Sequence, residues 1–350
     1  MTDFLRRLGI EHPIVLAPMG AGPGTPELAA AVANAGGLGS MPAAYLPPDD
    51  IRRTIRRFRE LSKKPLNVNL FAGGHHDRID VDPAPMLRLM ERVHKTLGID
   101  PPLTPTPAPD QFAQSLEVVL EMKPEIFSFT FGVPDRGTLD RLRTLGILTF
   151  GTATTLREAR ILADGGVDAI VAQGAEAGGH RGTFEGSFED ALVPTLELTE
   201  QIARSVSVPV IAAGGIMDGR DIKAALDRGA VAVQMGTAFL ACPEAGTPEG
   251  EKRELLNAKR DTTVLTRAFS GRVARVLHNE FIDLVDEKNI LPFPIQASLT
   301  RPMRAASAAS GETRFLPMLV GTGMARTRAM PAAELVATLV AEMRSVQDEP

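Results

Sequence analysis

Short apolar runs alternate along this chain with stretches of helical period. The runs are Ile14–Pro18, Leu38–Ser40, Leu66–Leu70, Ile126–Thr130, Ile147–Phe150, Ala169–Ala172, Val208–Ala212 and Ala232–Met235. Most are continuously apolar, as expected of strands covered by helices on one face and packed side chains on the other. Between them, residues 49–61 place Ile51, Ile55, Phe58 and Leu61 at helical spacing. Arg52, Arg53, Arg56 and Arg57 lie on the opposite side and read as a solvated face, not an anion site. Thr154 or Thr155 is placed to cap a helix that ends at Gly165-Gly166, and Asp218 precedes another that stops near Gly229. Eight strands interleaved with helices predict an α/β chain, a (β/α)₈ TIM barrel over residues 1–240. Periodicity alone leaves an open doubly wound sheet as the competitor.

Two regions break the rhythm. Residues 73–110 are rich in Pro around one helical stretch (Met86, Leu89, Met90, Val93, Leu97), and residues 243–330 carry no clear βα pattern. Barrel insertions emerge at the C-terminal ends of strands, where active sites lie. The expectation is therefore a lid segment at about 73–110, a small cap over 241–330, and a C-terminal helix within 331–350 packing back on the barrel.

Composition narrows the function classes. With 44% apolar and 23% charged residues the chain is an ordinary globular one. A net charge of -5 gives no electrostatic reason to expect nucleic acid, and single-strand binders usually stack bases on aromatic platforms, whereas this chain has no Trp and one Tyr. No apolar run reaches the ~20 residues of a membrane span. Cys242 is the only cysteine, so no disulfide can form within the chain; it reads as a small buried apolar residue in a reducing compartment. The opening MTDFLRRLGIEHP lacks the apolar core of a signal peptide, and a cytoplasmic location is expected. His75, His76 and Asp77 have no partner cluster and read as a surface loop, so no metal is expected.

Two glycine-bearing strand ends come late: the run from Pro209 to Ile216, containing Gly214-Gly215, and Gln234-Met235-Gly236-Thr237. At the exits of the last two barrel strands, backbone N–H groups and a helix N-terminus commonly hold a phosphate, and glycine lets its oxygens approach. No G-x-G-x-x-G opens the first βα unit, which disfavours a dinucleotide fold. The most distinctive segment is QGAEAGGHRG, Gln173 to Gly182, directly after the sixth strand. Its glycines allow close approach to a flat ligand. The Gln173 amide suits a ring edge of alternating N–H and C=O groups. His180, with an ordinary pKa near 6.5, is the candidate base.

These segments, with Ala17-Pro18-Met19-Gly20, Asn67-Val68-Asn69-Leu70-Phe71 and TRAFSGRVAR (Thr266 to Arg275), resemble the bacterial FMN-dependent class of the nitronate monooxygenase family (2-nitropropane dioxygenase-like). The resemblance spreads over most of the chain. It implies an oxidoreductase that converts nitronates or nitroalkanes with O₂ to a carbonyl compound and nitrite. It further implies Met19, Asn69 and Gln173 at the isoalloxazine or ribityl arm. Gly178, Gly215, Gln234, Met235, Gly236 and Thr237 would lie around the phosphate, with His180 as base or substrate-positioning group. The chain departs from the family where pocket tyrosines are usual: Tyr45 is its only Tyr, and the late stretch reads Met318-Leu319-Val320-Gly321-Thr322-Gly323. Phe127, Phe129 and Phe131 alternate on one strand, as either pocket or core residues. The competing readings are an NAD(P)H-dependent FMN reductase (quinone or enoyl reductase) on the same barrel and a flavin-binding barrel without turnover.

Overall fold

The computed structural model describes residues 2–75, 78–105 and 110–347. His76 and Asp77 of the paired-histidine loop lie outside the described residues. The strands are β1 (Ile14–Leu16), β2 (Gly39–Pro42), β3 (Leu66–Phe71), β4 (Ile126–Thr130), β5 (Leu148–Ala153), β6 (Ala169–Gln173), β7 (Gly179–His180), β8 (Val210–Ala213), β9 (Ala232–Met235), β10 (Thr263–Thr266) and β11 (Ala274–Leu277).

Eight of them form one parallel sheet in the order β1-β9-β8-β6-β5-β4-β3-β2. A parallel bridge between Val15 and Leu38 joins its two ends. Leu16 N–H donates to Leu38 O and Leu38 N–H to Ile14 O, both at 2.9 Å. The sheet is thus a (β/α)₈ TIM barrel, not an open doubly wound sheet. Its helices start where the sequence places their caps. Thr155 Oγ1 accepts from Glu158 N and Gly166 ends that helix at φ 83; Asp218 caps the helix Gly219–Asp227. The arginine face of the helix Pro48–Leu61 is paired at the surface with Asp49, Asp50, Glu27, Glu60 and Glu121.

Strand alternation divides the side chains between two layers. Phe127 and Phe129 on β4 and Val68 and Leu70 on β3 pack outward against the helices. Inside the barrel, the N-terminal end is apolar and plugged by the first helix, Asp3–Leu8, whose Phe4, Leu5 and Leu8 pack on Val15, Ile126, Phe150 and Ile211. Toward the C-terminal end the interior turns polar. Asn67 Nδ2 donates to Ser40 Oγ and Asn69 Nδ2 to Ser128 Oγ, each at 3.0 Å.

A second hydrophobic cluster covers that end. Met86, Leu89, Met90 and Val93 of the inserted helix Ala84–Leu97 pack against Phe269, Val276, Phe281, Leu291, Leu299 and Met303 from the late segment. The two interruptions of the βα rhythm therefore meet in one cap. The late segment also contains regular structure that its sequence does not announce: the β10–β11 hairpin and the helix Ile295–Ser310. Strand β7 joins that hairpin, pairing His180 with Ala274 and Gly179 with Arg275. The C-terminal helix Ala332–Gln347 returns to the barrel and buries Leu335, Val336, Leu339 and Val340 in the main core. Among the described residues no helix is long and apolar enough to cross a membrane.

Candidate active site

A cavity of about 490 Å³ opens between the barrel mouth and the cap, within the range of about 300–1,000 Å³ usual for small-molecule and cofactor sites. Met19, Asn69, Gln173, Gly178, His180, Gly215, Gln234, Met235, Gly236 and Thr237 all line it. They come from β1, β3, β6, β8 and β9 or the turns after them, because all eight barrel strands run the same way and end on one face.

The residues do not all contribute alike. Gln173 holds the loop that follows it: its Nε2 donates to His180 O at 3.0 Å, and its Oε1 accepts from Gly182 N at 2.8 Å. One N–H and one lone pair remain for a ligand. Gly178 is small because a chain segment crosses it, since a Cβ there would lie 2.4 Å from Gly321 N and from Val320 C. Met235 is only 1% exposed and packs in the core between strands and helices, so it meets the cavity at its edge. The Gln234 amide faces the cavity without a partner from the described residues.

The glycine turns present unpaired backbone donors. The N–H groups of Gly215, Ile216, Gly236 and Thr237 reach no acceptor among the described residues. Gly215 has φ +68, which L side chains rarely adopt. The helix N-terminus beyond it is already filled. Asp218 accepts from Arg220 N and Asp221 N, Glu342 from Gly219 N, and Asp221 from Met217 N. An anion here would thus meet the two glycine turns and not the helix end, because three carboxylates hold that end.

His180 is held by the cap. Its Nε2 lies 2.8 Å from Ser270 Oγ, and Ser270 Oγ donates to Arg272 O at 3.1 Å. With the hydroxyl proton on that carbonyl, Nε2 carries the imidazole proton and Nδ1 keeps a free lone pair. Phe131 and Phe293 each pack on the ring with centroids 6.0 Å away. Phe131 follows β4 at φ 73, a strained position for Phe, and is clamped between Phe71 at 4.4 Å and the Arg272 guanidinium at 3.7 Å. Of the three alternating phenylalanines only Phe131 reaches the site.

The charge balance around His180 is one-sided. Arg272 donates to the carbonyls of Arg181 and Thr183, and Arg181 to those of Gly174, Gln173 and Ala191. Arg304 donates to Ala297 O. Carbonyls accept from each of these guanidiniums without neutralising them, and the Nε of Arg181 and of Arg304 is buried without an acceptor. Burial, and then Arg272 and Arg304, push the His180 pKa down to about 3. The imidazole is therefore neutral at physiological pH, and its affinity for protons lies well below the 6.5 expected from residue type alone. Burial also lowers Arg181 and Arg272 to about 10, which still leaves both charged at neutral pH.

Several of these groups were not singled out from the sequence. Ser270 and Arg272 sit in the TRAFSGRVAR stretch, but nothing in their spacing reveals that β11 brings them to β7. Tyr45, the one Tyr, lines the cavity with its ring edge-on to Phe71 at 5.3 Å.

The site has close relatives. A family model described as nitronate monooxygenase matches residues 2–342. A nitronate monooxygenase of Pseudomonas aeruginosa is 42% identical over 98% of this chain and 100% of its own length. One from Paraburkholderia phytofirmans is 43% identical over 98% of this chain and 97% of its own. Among solved structures, a nitroalkane oxidase from Streptomyces ansochromogenes superposes with a TM-score of 0.91 at 39% identity, covering 98% of this chain and 99% of that one. FabK from Thermotoga maritima matches at 0.79 and 29%, covering 99% and 97%. A family match along nearly the whole chain, with relatives above 40% identity end to end, shows that this chain belongs to the nitronate monooxygenase family.

Proposed function

We propose that this oxidoreductase converts alkyl nitronates with O₂ to a carbonyl compound and nitrite, using FMN held in the barrel mouth, and that it takes its substrate as the anion. The observation that carries the reading is the cavity itself, where a neutral imidazole lies near Arg272 and Arg304, neither of them ion-paired with a carboxylate of the described residues. FMN fits the donor set. The free N–H groups of Gly215, Ile216, Gly236 and Thr237 suit its phosphate; Asn69 and Gln234 offer amides to its polar edge, with Met19 as an apolar contact. The chemistry the flavin would supply is one-electron oxidation of the nitronate, with O₂ as the final oxidant.

The protein's own contribution is position and polarity. Ser270 fixes the His180 ring through Nε2, leaving Nδ1 to accept a proton or a hydrogen bond. A base with so low a proton affinity removes the α-proton of a neutral nitroalkane poorly. The same positive surroundings attract a nitronate, which arrives already deprotonated. Phe71, Phe131 and Phe293 form an apolar wall beside the imidazole. The Nη1 and Nη2 atoms of Arg181 anchor the loop carrying His180 to carbonyls below it.

The test is a purified enzyme mixed anaerobically with nitronate, with neutral nitroalkane, and with NADH or NADPH. Rapid flavin reduction by nitronate, slower reduction by nitroalkane and none by the nicotinamides is the expected order. Reduction by a nicotinamide alone would assign the barrel to the reductases. Acid-released flavin should be FMN; FAD, or no flavin after reconstitution, would overturn the cofactor assignment.

A further inference from the structure

Arg304 projects from the cap helix Ile295–Ser310 into the main cavity. Its Nη2 donates to Ala297 O at 2.7 Å, which accounts for one edge of the guanidinium. Its Nε is sealed from solvent without an acceptor, and Nη1 reaches none among the described residues. No carboxylate of the described residues pairs with it. A buried cation with most of its fork unmatched is costly unless a ligand completes it. The group that best matches a planar fork of N–H donors is a planar anion carrying its charge over two oxygens.

The placement separates this position from the phosphate cradle. That cradle is built of barrel backbone at Gly215 and Gly236, whereas Arg304 belongs to the cap and acts electrostatically on His180 and Tyr45. Arg272, the other cation near His180, is committed to the carbonyls of Arg181 and Thr183 and stacks on Phe131. Among the described residues, Arg304 is the arginine acting on His180 that also lines the cavity and keeps donors free there.

We propose that Arg304 receives the two-oxygen anionic head of the substrate, so that the site selects the nitronate by charge and shape against the neutral nitroalkane. This inference rests on the nitronate reading above and names the residue that reads the anion. It makes Arg304 a specificity residue of the cap, while the barrel holds the cofactor.

The probe is isobutyrate, which copies the outline and charge of propane-2-nitronate but cannot be oxidised at that head, with isobutyramide as its neutral counterpart. Each is titrated into the flavin-loaded enzyme and followed by calorimetry and by perturbation of the flavin spectrum. Wild type should bind isobutyrate and prefer it to isobutyramide. Arg304→Gln should weaken isobutyrate roughly 10- to 100-fold, the loss expected for charge-assisted hydrogen bonds, and leave isobutyramide unchanged. Arg304→Lys, which keeps the charge and loses the fork, should fall between. In turnover, Arg304→Gln should raise KM for nitronate more than it lowers kcat. A merely structural role predicts equal weakening of both probes in both variants, and that result would overturn the proposal. So would a wild-type enzyme that does not distinguish acid from amide, or an Arg304→Gln variant that still does. Selectivity that depends on Arg304 in an enzyme unable to oxidise nitronate would leave the anion site standing and remove the reaction assigned above.

Discussion

The two walls of the cavity do different work with different parts of the chain. The barrel wall presents backbone: glycine turns after β8 and β9 with unpaired N–H groups, and amides at strand ends. The cap wall presents side chains: Ser270 and Arg304 line the cavity, while Arg272 stacks on Phe131 and Phe293 packs on the His180 ring. Backbone donors on a closed barrel are fixed by the strand register and need no ordering when a ligand arrives. Side chains on the cap decide instead what charge state His180 adopts. The same imidazole on an isolated barrel loop would be an ordinary base; under this cap it is a neutral, weakly basic ring. On the proposed function, cofactor holding and substrate choice fall to different walls, and variants can be chosen to break each alone.

The largest effect is expected where the walls meet. His180→Asn should lower turnover of a neutral nitroalkane by about 10²-fold, the low end for a general base because its proton affinity is depressed. Nitronate turnover should fall less, and FMN content should hold, since Gln173 grips the loop through the backbone of residues 180 and 182. Kinetics normalised to bound flavin would decide; equal activity of mutant and wild type on the nitroalkane would take His180 out of the mechanism.

On the barrel side, Gly236→Ala is the cleaner probe. Gly236 has φ -116, and its new Cβ would lie 3.3 Å from Ala17 Cβ and 3.4 Å from Met19 Sδ, so the fold can absorb it. The same Cβ crowds a phosphate approaching the backbone, and FMN affinity should drop roughly tenfold with little change in Tm. Gly215→Val adds strain at positive φ and cannot separate the two causes. Full FMN affinity in Gly236→Ala would place the phosphate elsewhere.

On the cap side, Arg272→Gln removes one of the charges that lowers the His180 pKa. The imidazole works unprotonated, so activity falls as pH drops through its pKa. In wild type that limb lies near about 3, and nitronate kcat/KM should show no histidine limb between pH 8 and 5. In the variant the limb should move upward; it would stop short of an ordinary histidine, since burial is the larger cause. An unmoved profile would mean that the cap charges do not set the state of His180.

The smallest effect lies outside both walls. Glu251 on the helix Glu249–Asn257 is buried, and its pKa rises from 4.5 to about 8. The folded state therefore binds a proton that the unfolded state releases above 4.5. Stability from this group is complete below that value and is lost as pH rises through 8. Glu251→Gln, uncharged throughout, should flatten the fall of Tm between pH 5 and 9 by a few degrees without touching flavin content or kinetics.

How much of this the sequence determined by itself follows from the range of the interactions involved. Strands β1, β3, β4, β6 and β9 are short, largely apolar runs of local origin, and the caps at Thr155 and Asp218 are short-range hydrogen bonds, so both can be read in order along the chain. The glycine turns and the His180 loop are likewise local, and the shared direction of the strands brings them to one face. The runs at 147 and 208 were legible as strands but not their ends: β5 continues through Gly151, Thr152 and Ala153, small or polar residues whose place is set by packing, Gly151 beside Leu162 of the helix outside and Thr152 at the cavity inside. The cap was legible only as an interruption. Its core joins Met90 to Met303, and β7 pairs with β11 across about 95 residues of chain, contacts that leave no periodic trace. The pKa of His180, the commitment of Gln173 to its own loop and the unmatched fork of Arg304 depend on which charges and carbonyls surround each group after folding. Desolvation and Coulomb interactions act through space and not along the chain, so only the tertiary structure could decide them.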